Sequence, residues 1–328
     1  MYKYASIDQF RNAIGTVQRL AHRNGARRDA EGEIIEGQQR TWKFPPVRFR
    51  GTVKLHGTNA AVVVEGGKVS YQSRNRVLTV DDDNAGFAAW AAQHEILWAG
   101  VAAPFGDIIL FGEWCGRGIQ KGVALSELAP MFVVFEVLTI DNRQIDVEDI
   151  DWLPEGAYKI TDFPTWEVEI DFENPQLVQN RLVEITNAVE AECPVGKAFG
   201  VSGVGEGVVW SADVFGERVR FKVKGEKHSS YRVRTLAMIT AENPETVTQF
   251  IDNALTDGRM HQGVEFLQEH GLPIALQSTG DFVRWIVADV VKEEADTMAA
   301  AGLDIEAVKK RLGSTAAVRY KMGLAQAA

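Results

Sequence analysis

The stretch Phe49–Val64, FRGTVKLHGTNAAVVV, decides how this chain is read. Two apolar, β-branched runs flank the polar hexapeptide KLHGTN at residues 54–59. Such runs are strands, and a tight connection between strands needs little more than Asn-Gly or Asp-Gly. A lysine two residues ahead of a histidine, followed by Gly57, Thr58 and Asn59, is more chemistry than a turn requires. Alone it is still a turn with a solvated lysine. Its meaning depends on what the rest of the chain sets beside it.

From about Val47 to Val223 the chain consists of short runs rich in Val, Ile, Phe and Trp, broken by Gly, Asp and Asn. These read as strands and hairpin arms, interrupted by helical patterns near Ala85–Ala99 and Leu177–Glu192. The mixture predicts an antiparallel α+β domain rather than regular βαβ units. Ahead of it, Ile7, Phe10, Ile14, Val17 and Leu20 recur at helical spacing, followed by a polar, Gly-rich loop or hairpin. After about Tyr231 the strand texture stops. Asn243-Pro244 has the form of a helix N-cap with proline at the first position. Val247, Phe250, Ile251, Ala254 and Leu255 then share one helical face, and residues 280–300 and 304–314 predict further helices. The expected division is a domain over residues 1–230 and a smaller all-helical one over 231–328.

Composition sets bounds on function. The 328 residues are 45% hydrophobic and 24% charged, with no apolar run long enough to span a bilayer. The N-terminus, MYKYASIDQF, lacks the apolar core of an export signal, and two cysteines make neither a disulfide framework nor a zinc site. A cytoplasmic, reducing location is expected. The net charge of −10 argues against a nucleic-acid partner only at first sight. Residues 141–192 carry 14 acidic against 3 basic side chains, whereas residues 214–234 carry 7 basic against 2 acidic. A local basic surface still attracts phosphate.

Five further stretches carry candidate chemistry. YQSRNRVLT (71–79) sets Arg74 and Arg76 at alternate positions, suited to one anion. LFGEWCGRGIQKG (110–122) puts Glu113, a pure acceptor when ionised, at a strand end. MFVVFEVL (131–138) carries Phe132 and Phe135 on opposite faces, one for the core and the other free to stack on a base. GVGEGVVW (203–210) holds Glu206 among glycines, where it can site a hydrated cation. RFKVKGEKHS (220–229) lines up Arg220, Lys222 and Lys224 on one strand face. Each has an ordinary explanation alone: solvated pairs, turn residues, core phenylalanines, or lysines guarding a sheet edge.

In this order they resemble the signature motifs of the covalent nucleotidyltransferases, the ATP-dependent ligases and mRNA capping enzymes. The form is most similar to the RNA ligase 2 family, which includes phage nick-sealing and trypanosome RNA-editing ligases. KLHGTN resembles the first motif, where DNA ligases typically have Asp in place of His56. FGEWCGRGIQKG resembles the third with its GxGIQK continuation, MFVVFEV the next, EGVVW the fourth and FKVKGEKHS the fifth. The resemblance covers about residues 47–230. It implies an antiparallel-sheet nucleotidyltransferase (ATP-grasp-like ligase) domain, with ATP as co-substrate, Mg²⁺ or Mn²⁺ as cofactor, and RNA bearing 5′-phosphate and 3′-OH ends as partner, the protein acting as a monomer.

It also implies roles. Lys54 becomes the nucleophile that forms lysyl-AMP, and Lys222 and Lys224 contact the phosphates and lower its pKa. Arg74 meets the RNA 5′-phosphate or the AMP phosphate, Glu113 the ribose, and Phe135 the adenine. Glu206, with Asn59 through water, sites the metal, while Leu55, His56 and Asn59 shape the nucleotide pocket. EGVVW departs from the lysine-containing EGxVxK of many relatives, because Trp210 and Ser211 follow Val209. A DNA ligase, a capping-type enzyme and a non-catalytic RNA-binding subunit are the alternatives. His56 and GxGIQK weigh against the first two, and the intact set of Lys54, Glu113, Glu206, Lys222 and Lys224 against the third.

Overall fold

The computed structural model describes residues 1–5, 7–25, 44–225, 247–294, 298 and 303–327. The Gly-rich stretch beyond Gly25, the 230/231 domain boundary and the Asn243-Pro244 cap lie outside them.

The α+β class holds. Two sheets are built mainly from antiparallel pairs. The first takes β1 (Asp8–Gln9), β2 (Val47–Lys54), β10 (Thr165–Ile170), β11 (Gly207–Val214) and β12 (Glu217–Lys224) in the order β1-β12-β11-β2-β10. The second takes β3 (Thr58–Glu65), β4 (Lys68–Ser73), β5 (Val77–Leu78), β6 (Ile108–Cys115), β7 (Met131–Thr139) and β8 (Gln144–Ile145) in the order β5-β4-β3-β6-β7-β8. A short β9 (Ala157–Lys159) pairs in parallel with β7.

The first sheet alternates cleanly. Phe49 and Val53 of β2, Val208 and Trp210 of β11, and Val219 and Phe221 of β12 are buried together. They pack with α1 (Phe10–Gly25) and α4 (Gln179–Ala191), whose Val17 and Val189 are in the same core. The second sheet is covered on one face by α2 (Phe87–Ala92) and α3 (Glu95–Ala102), through Phe87, Trp98, Phe132 and Val134. Both faces of β3 are therefore buried, and Ala61 and Val63 meet Tyr2 and Tyr4 on the other side.

KLHGTN is no hairpin turn. Lys54 ends β2 in the first sheet and Thr58 opens β3 in the second, so the tetrapeptide 54–57 crosses between sheets. The crossing is tight: a Cβ on Gly57 would come within 2.3 Å of the Trp114 carbonyl oxygen, which only glycine avoids.

The C-terminal helices have a core of their own, containing Phe250, Leu267, Phe282, Ile286, Leu312 and Tyr320. α6 (Val247–Ala254) and α8 (Thr279–Glu293) fall in the stretches predicted helical, α9 (Ile305–Ala327) begins in one and runs on past residue 314, and α7 (Asp257–Glu269) lies in none. β10 and α5 (Pro194–Ala198) also went unpredicted. No helix among the described residues is long and apolar enough to cross a membrane.

Candidate active site

Strand register assembles the site. Lys54 pairs with Gly207, and Gly207 pairs on its other side with Lys224, so three strands meet in one row. Glu206, one residue before that row, therefore stands between two lysines. Its Oε2 lies 2.8 Å from Lys54 Nζ and its Oε1 2.8 Å from Lys224 Nζ, with His56 Nδ1 at 3.3 Å. A carboxylate only 3% exposed is costly to ionise without such partners. Burial works against its charge, but Lys224 and Lys54 outweigh burial and hold its carboxyl well below the usual range.

The second sheet supplies the opposite wall. Asn59 at the start of β3 is directly opposite Glu113 on β6, and Glu113 accepts a hydrogen bond of 3.0 Å from the Gly57 amide. Burial raises the Glu113 pKa to about 7, with Lys54 pulling the other way. On β7 a bulge does the positioning. Phe111 pairs with Glu136 but Gly112 pairs with Val134, so Phe135 is the extra residue. Bulges re-aim side chains. Phe132 and Val134 stay in the core against α2 and α3, whereas Phe135 and Glu136 both turn to the cleft.

All ten sequence-predicted residues line one cleft of about 750 Å³: Lys54, Leu55, His56, Asn59, Arg74, Glu113, Phe135, Glu206, Lys222 and Lys224. That volume is in the range of nucleotide-sized ligand sites. Leu55 is itself in the core and only borders the space. Arg74 reaches it, but Arg76 does not. Residues 74–76 form a turn rather than a strand, and Arg76 is spent on Asp82 and the Asp83 carbonyl. The expected arginine pair is a single arginine.

One electrostatic expectation is reversed. Burial alone would lower the Lys54 pKa, as neighbouring lysines were expected to do, but Glu206 and Glu113 outweigh it and the pKa is raised. The depressed lysine is Lys222, brought to about 8 by burial, against Glu293, with Lys224 and Lys54 adding to the fall. Among the described residues no carboxylate stands in ion-pair contact with it.

Several cleft residues were not foreseen. Tyr4 packs its ring 5.0 Å from Phe135 and 5.3 Å from Phe111, with the Arg220 guanidinium 5.6 Å over it and ion-paired to Glu136. Ser211, at the place where EGxVxK has lysine, is registered between Arg50 and Arg220 and receives a 3.1 Å hydrogen bond from Arg218. The site therefore keeps positive charge where the motif departs. From the helical region, α7 contributes Glu265 and Glu269 and α8 contributes Asp289 and Glu293. Burial pushes Glu269 up to about 7, with Arg74 opposing. The signal for α7 was present in the Thr256 side chain, which caps it by accepting from the Arg259 amide at 3.2 Å.

The Glu206 carboxylate and the Asn59 amide, oxygen donors of the kind a hard divalent cation takes, line the same cleft. Basic side chains on β12 line it too.

Comparison with solved structures finds similarity to Naegleria gruberi RNA ligase with pyrophosphate, at 16% identity and a TM-score of 0.45, covering 70% of this chain and 57% of that one. Variants of the same enzyme with ATP and manganese and with AMP and manganese each match at 16% identity and a TM-score of 0.46. They cover 70% of this chain and 56% and 57% of theirs. No curated protein gives a significant match. Residues 47–224, more than half of the sequence and all of the two-sheet region from β2 to β12, match the RNA ligase family, to which this chain therefore belongs.

Proposed function

We propose that the protein is an ATP-dependent RNA ligase that joins 3′-OH and 5′-phosphate RNA ends, with Lys54 as the residue that carries AMP. The observation that supports this best is the placement of Lys54, a partly buried primary amine at the crossover between two sheets. It opens into a nucleotide-sized cleft to which β12 of the same sheet presents Arg220, Lys222 and Lys224.

The chemistry follows from the side chains. The Lys54 Nζ attacks the α-phosphorus of ATP; an N–P bond forms, the bond to the bridging oxygen breaks, and pyrophosphate leaves. An oxygen of the RNA 5′-phosphate then takes the adenylyl group from Lys54. Attack by the 3′-hydroxyl on that 5′-phosphorus forms the phosphodiester and releases AMP. Charge develops on phosphoryl oxygens in each step, so one preorganised set of cations serves all three.

Phe135 stacks on adenine and Glu113 accepts from the ribose. Lys222 and Lys224 bind phosphate, and Arg74 takes the RNA 5′-phosphate. Glu206, with Asn59 through water, would hold a divalent cation, Mg²⁺ or Mn²⁺, once Lys224 engages phosphate. That ion supplies charge neutralisation at the transferring phosphoryl group. Separation of Lys54 from Glu206, which raises its pKa, would favour the neutral amine that attack requires. The proposed role is RNA repair or nick sealing, by a monomer in the cytoplasm, consistent with two buried free thiols.

The test is transfer of AMP from α-labelled ATP to the purified protein in the presence of Mg²⁺, followed by sealing assays on nicked, gapped and single-stranded 5′-phosphate RNA. Labelling should vanish in Lys54→Ala. A covalent adduct that persists in that variant overturns the assignment.

A further inference from the structure

Helix α7 lies against the crossover between the two sheets. Its His261 and Glu265 are four residues apart and so share a face. Glu265 Oε1 is 3.4 Å from His261 Nε2 and 3.5 Å from His56 Nε2, and the three donor atoms all lie within 4.8 Å of one another. That oxygen is buried and accepts no hydrogen bond among the described residues, although the side chain is only 15% exposed.

The imidazole of His56 explains why this matters. Its Nδ1 faces Glu206 Oε2 at 3.3 Å, and a carboxylate there can only accept. Its Nε2 faces a second carboxylate oxygen, Glu265 Oε1, at 3.5 Å, so the ring stands between two acids. A cation held between Nε2 and Oε1 would give that buried oxygen a partner and leave Nδ1 to donate to Glu206.

We propose that His56, His261 and Glu265 bind a divalent transition-metal ion of the zinc class, clipping α7 to the strand crossover. Tetrahedral zinc with bonds of about 2.0–2.1 Å spaces its ligands about 3.4 Å apart, which is the distance of Glu265 Oε1 from each imidazole nitrogen, 3.4 and 3.5 Å. The Glu206 carboxylate on Nδ1 completes a carboxylate–histidine–metal relay that fixes tautomer and ring orientation. Two imidazoles and one carboxylate favour such a metal over Mg²⁺, which prefers oxygen ligands, so the site is separate from a cation held at Glu206 and Asn59. Three protein ligands leave the fourth place to water or to a group from the cleft.

The experiment uses chelator-stripped full-length protein titrated with Zn²⁺ against a chromophoric competitor, with zinc X-ray absorption on the loaded protein. One equivalent should bind, with two imidazoles in the first coordination sphere. Affinity should fall at least tenfold in both His261→Ala and Glu265→Gln, with one imidazole lost from the absorption spectrum of His261→Ala. The variant His22→Ala, at an exposed position on α1, should bind as the parent does. Glu265→Gln is nearly isosteric, and circular dichroism on each variant verifies folding. Absence of stoichiometric binding, undiminished affinity in the α7 variants, or an equal loss in His22→Ala overturns the proposal. The readout is binding, so it stands or falls apart from ligase activity.

Discussion

Lys54 Nζ sits 2.8 Å from Glu206 Oε2, so in the free protein the proposed nucleophile is held as an ammonium by the carboxylate proposed to hold a metal. The pair is a resting state. It keeps a partly buried amine and a buried acid satisfied, and in the proposed reaction phosphate and a divalent cation replace the partners.

Glu206→Gln should therefore have two effects. Lys54, Lys224 and His56 lose their shared anion, and breaking a buried pair in this way costs about 3–5 kcal/mol. Chemical denaturation of the ligand-free variant should show a loss of that order. The Lys54 pKa, raised by Glu206 and Glu113 against burial, should also fall. Adenylylation needs the neutral amine, so its rate rises with pH in the parent, and that rise should begin at lower pH in the variant, on a reduced maximum. An unshifted profile would show that Glu206 does not set the Lys54 proton affinity.

The two buried carboxyls give the protein a pH-dependent stability of definite sign. Burial raises both Glu113 and Glu269 from 4.5 to about 7. Each holds its proton more tightly folded than unfolded. The stability this contributes is complete below about pH 4.5 and is lost as pH rises through about 7, up to roughly 3 kcal/mol per group. Lys222, depressed to about 8, changes its contribution only above that value. Ligand-free protein should accordingly resist denaturant better at pH 5.5 than at pH 7.5. Glu113→Gln and Glu269→Gln should each flatten the difference, and a parent whose stability does not vary over this range would refute the burial argument.

How much of this was legible in the sequence depended on whether the signal was local. Period-two alternation in VRFRGTVK and ERVRFKVK marks β2 and β12, and the face each turns to the core follows from burying Phe49, Val53, Val219 and Phe221 on one side of the sheet they share with β11. The cleft-facing residues are the complementary set. Contacts set by tertiary packing were not legible. Arg76 was misplaced because a turn at residues 74–76 breaks the alternation that had paired it with Arg74. The α7 pattern is interrupted by Gly258 and Gly263. Yet Gly263 is there for packing, since a Cβ would come within 2.5 Å of the Phe282 ring. The acidic wall that α7 and α8 set before Lys222 and Arg74 was hidden with it. The raised Lys54 pKa needed the distance to Glu206, which no motif states.

Phe132 and Phe135 separate core from site within one strand. Phe132 is fully buried among Phe87, Trp90 and Trp98, and its replacement by alanine should cost about 3–5 kcal/mol. Phe135 is displaced by the bulge and lines the cleft beside Tyr4. Phe135→Ala should leave the melting temperature closer to the parent's and weaken ATP binding by about 10–100-fold, since base–aromatic stacking is worth about 1–3 kcal/mol. Isothermal titration with ATP and thermal melts on both variants distinguish the two. Equal nucleotide affinity in Phe135→Ala would remove the stacking role.

The last prediction concerns the helices. They have their own hydrophobic core, and they touch the two-sheet domain through polar contacts: Gln9 to Glu293, Arg11 to Glu294 at 3.8 Å, and His56 to Glu265 at 3.5 Å. Glu265, Glu269, Asp289 and Glu293 face the cleft, where they oppose a polyanion. Lys54, Glu113, Phe135, Lys222 and Lys224 come from the sheets, and Glu206 from the residue just before β11. A chain ending near Tyr231 should therefore still transfer AMP to Lys54, with a weaker ATP requirement where the acidic wall is gone. It should seal poorly, because only the two-sheet surface is left to engage two RNA ends. Single-turnover measurements of adenylylation and of sealing from pre-adenylylated RNA separate the two steps. Full sealing by the truncated chain would show that the helices are not needed for RNA engagement.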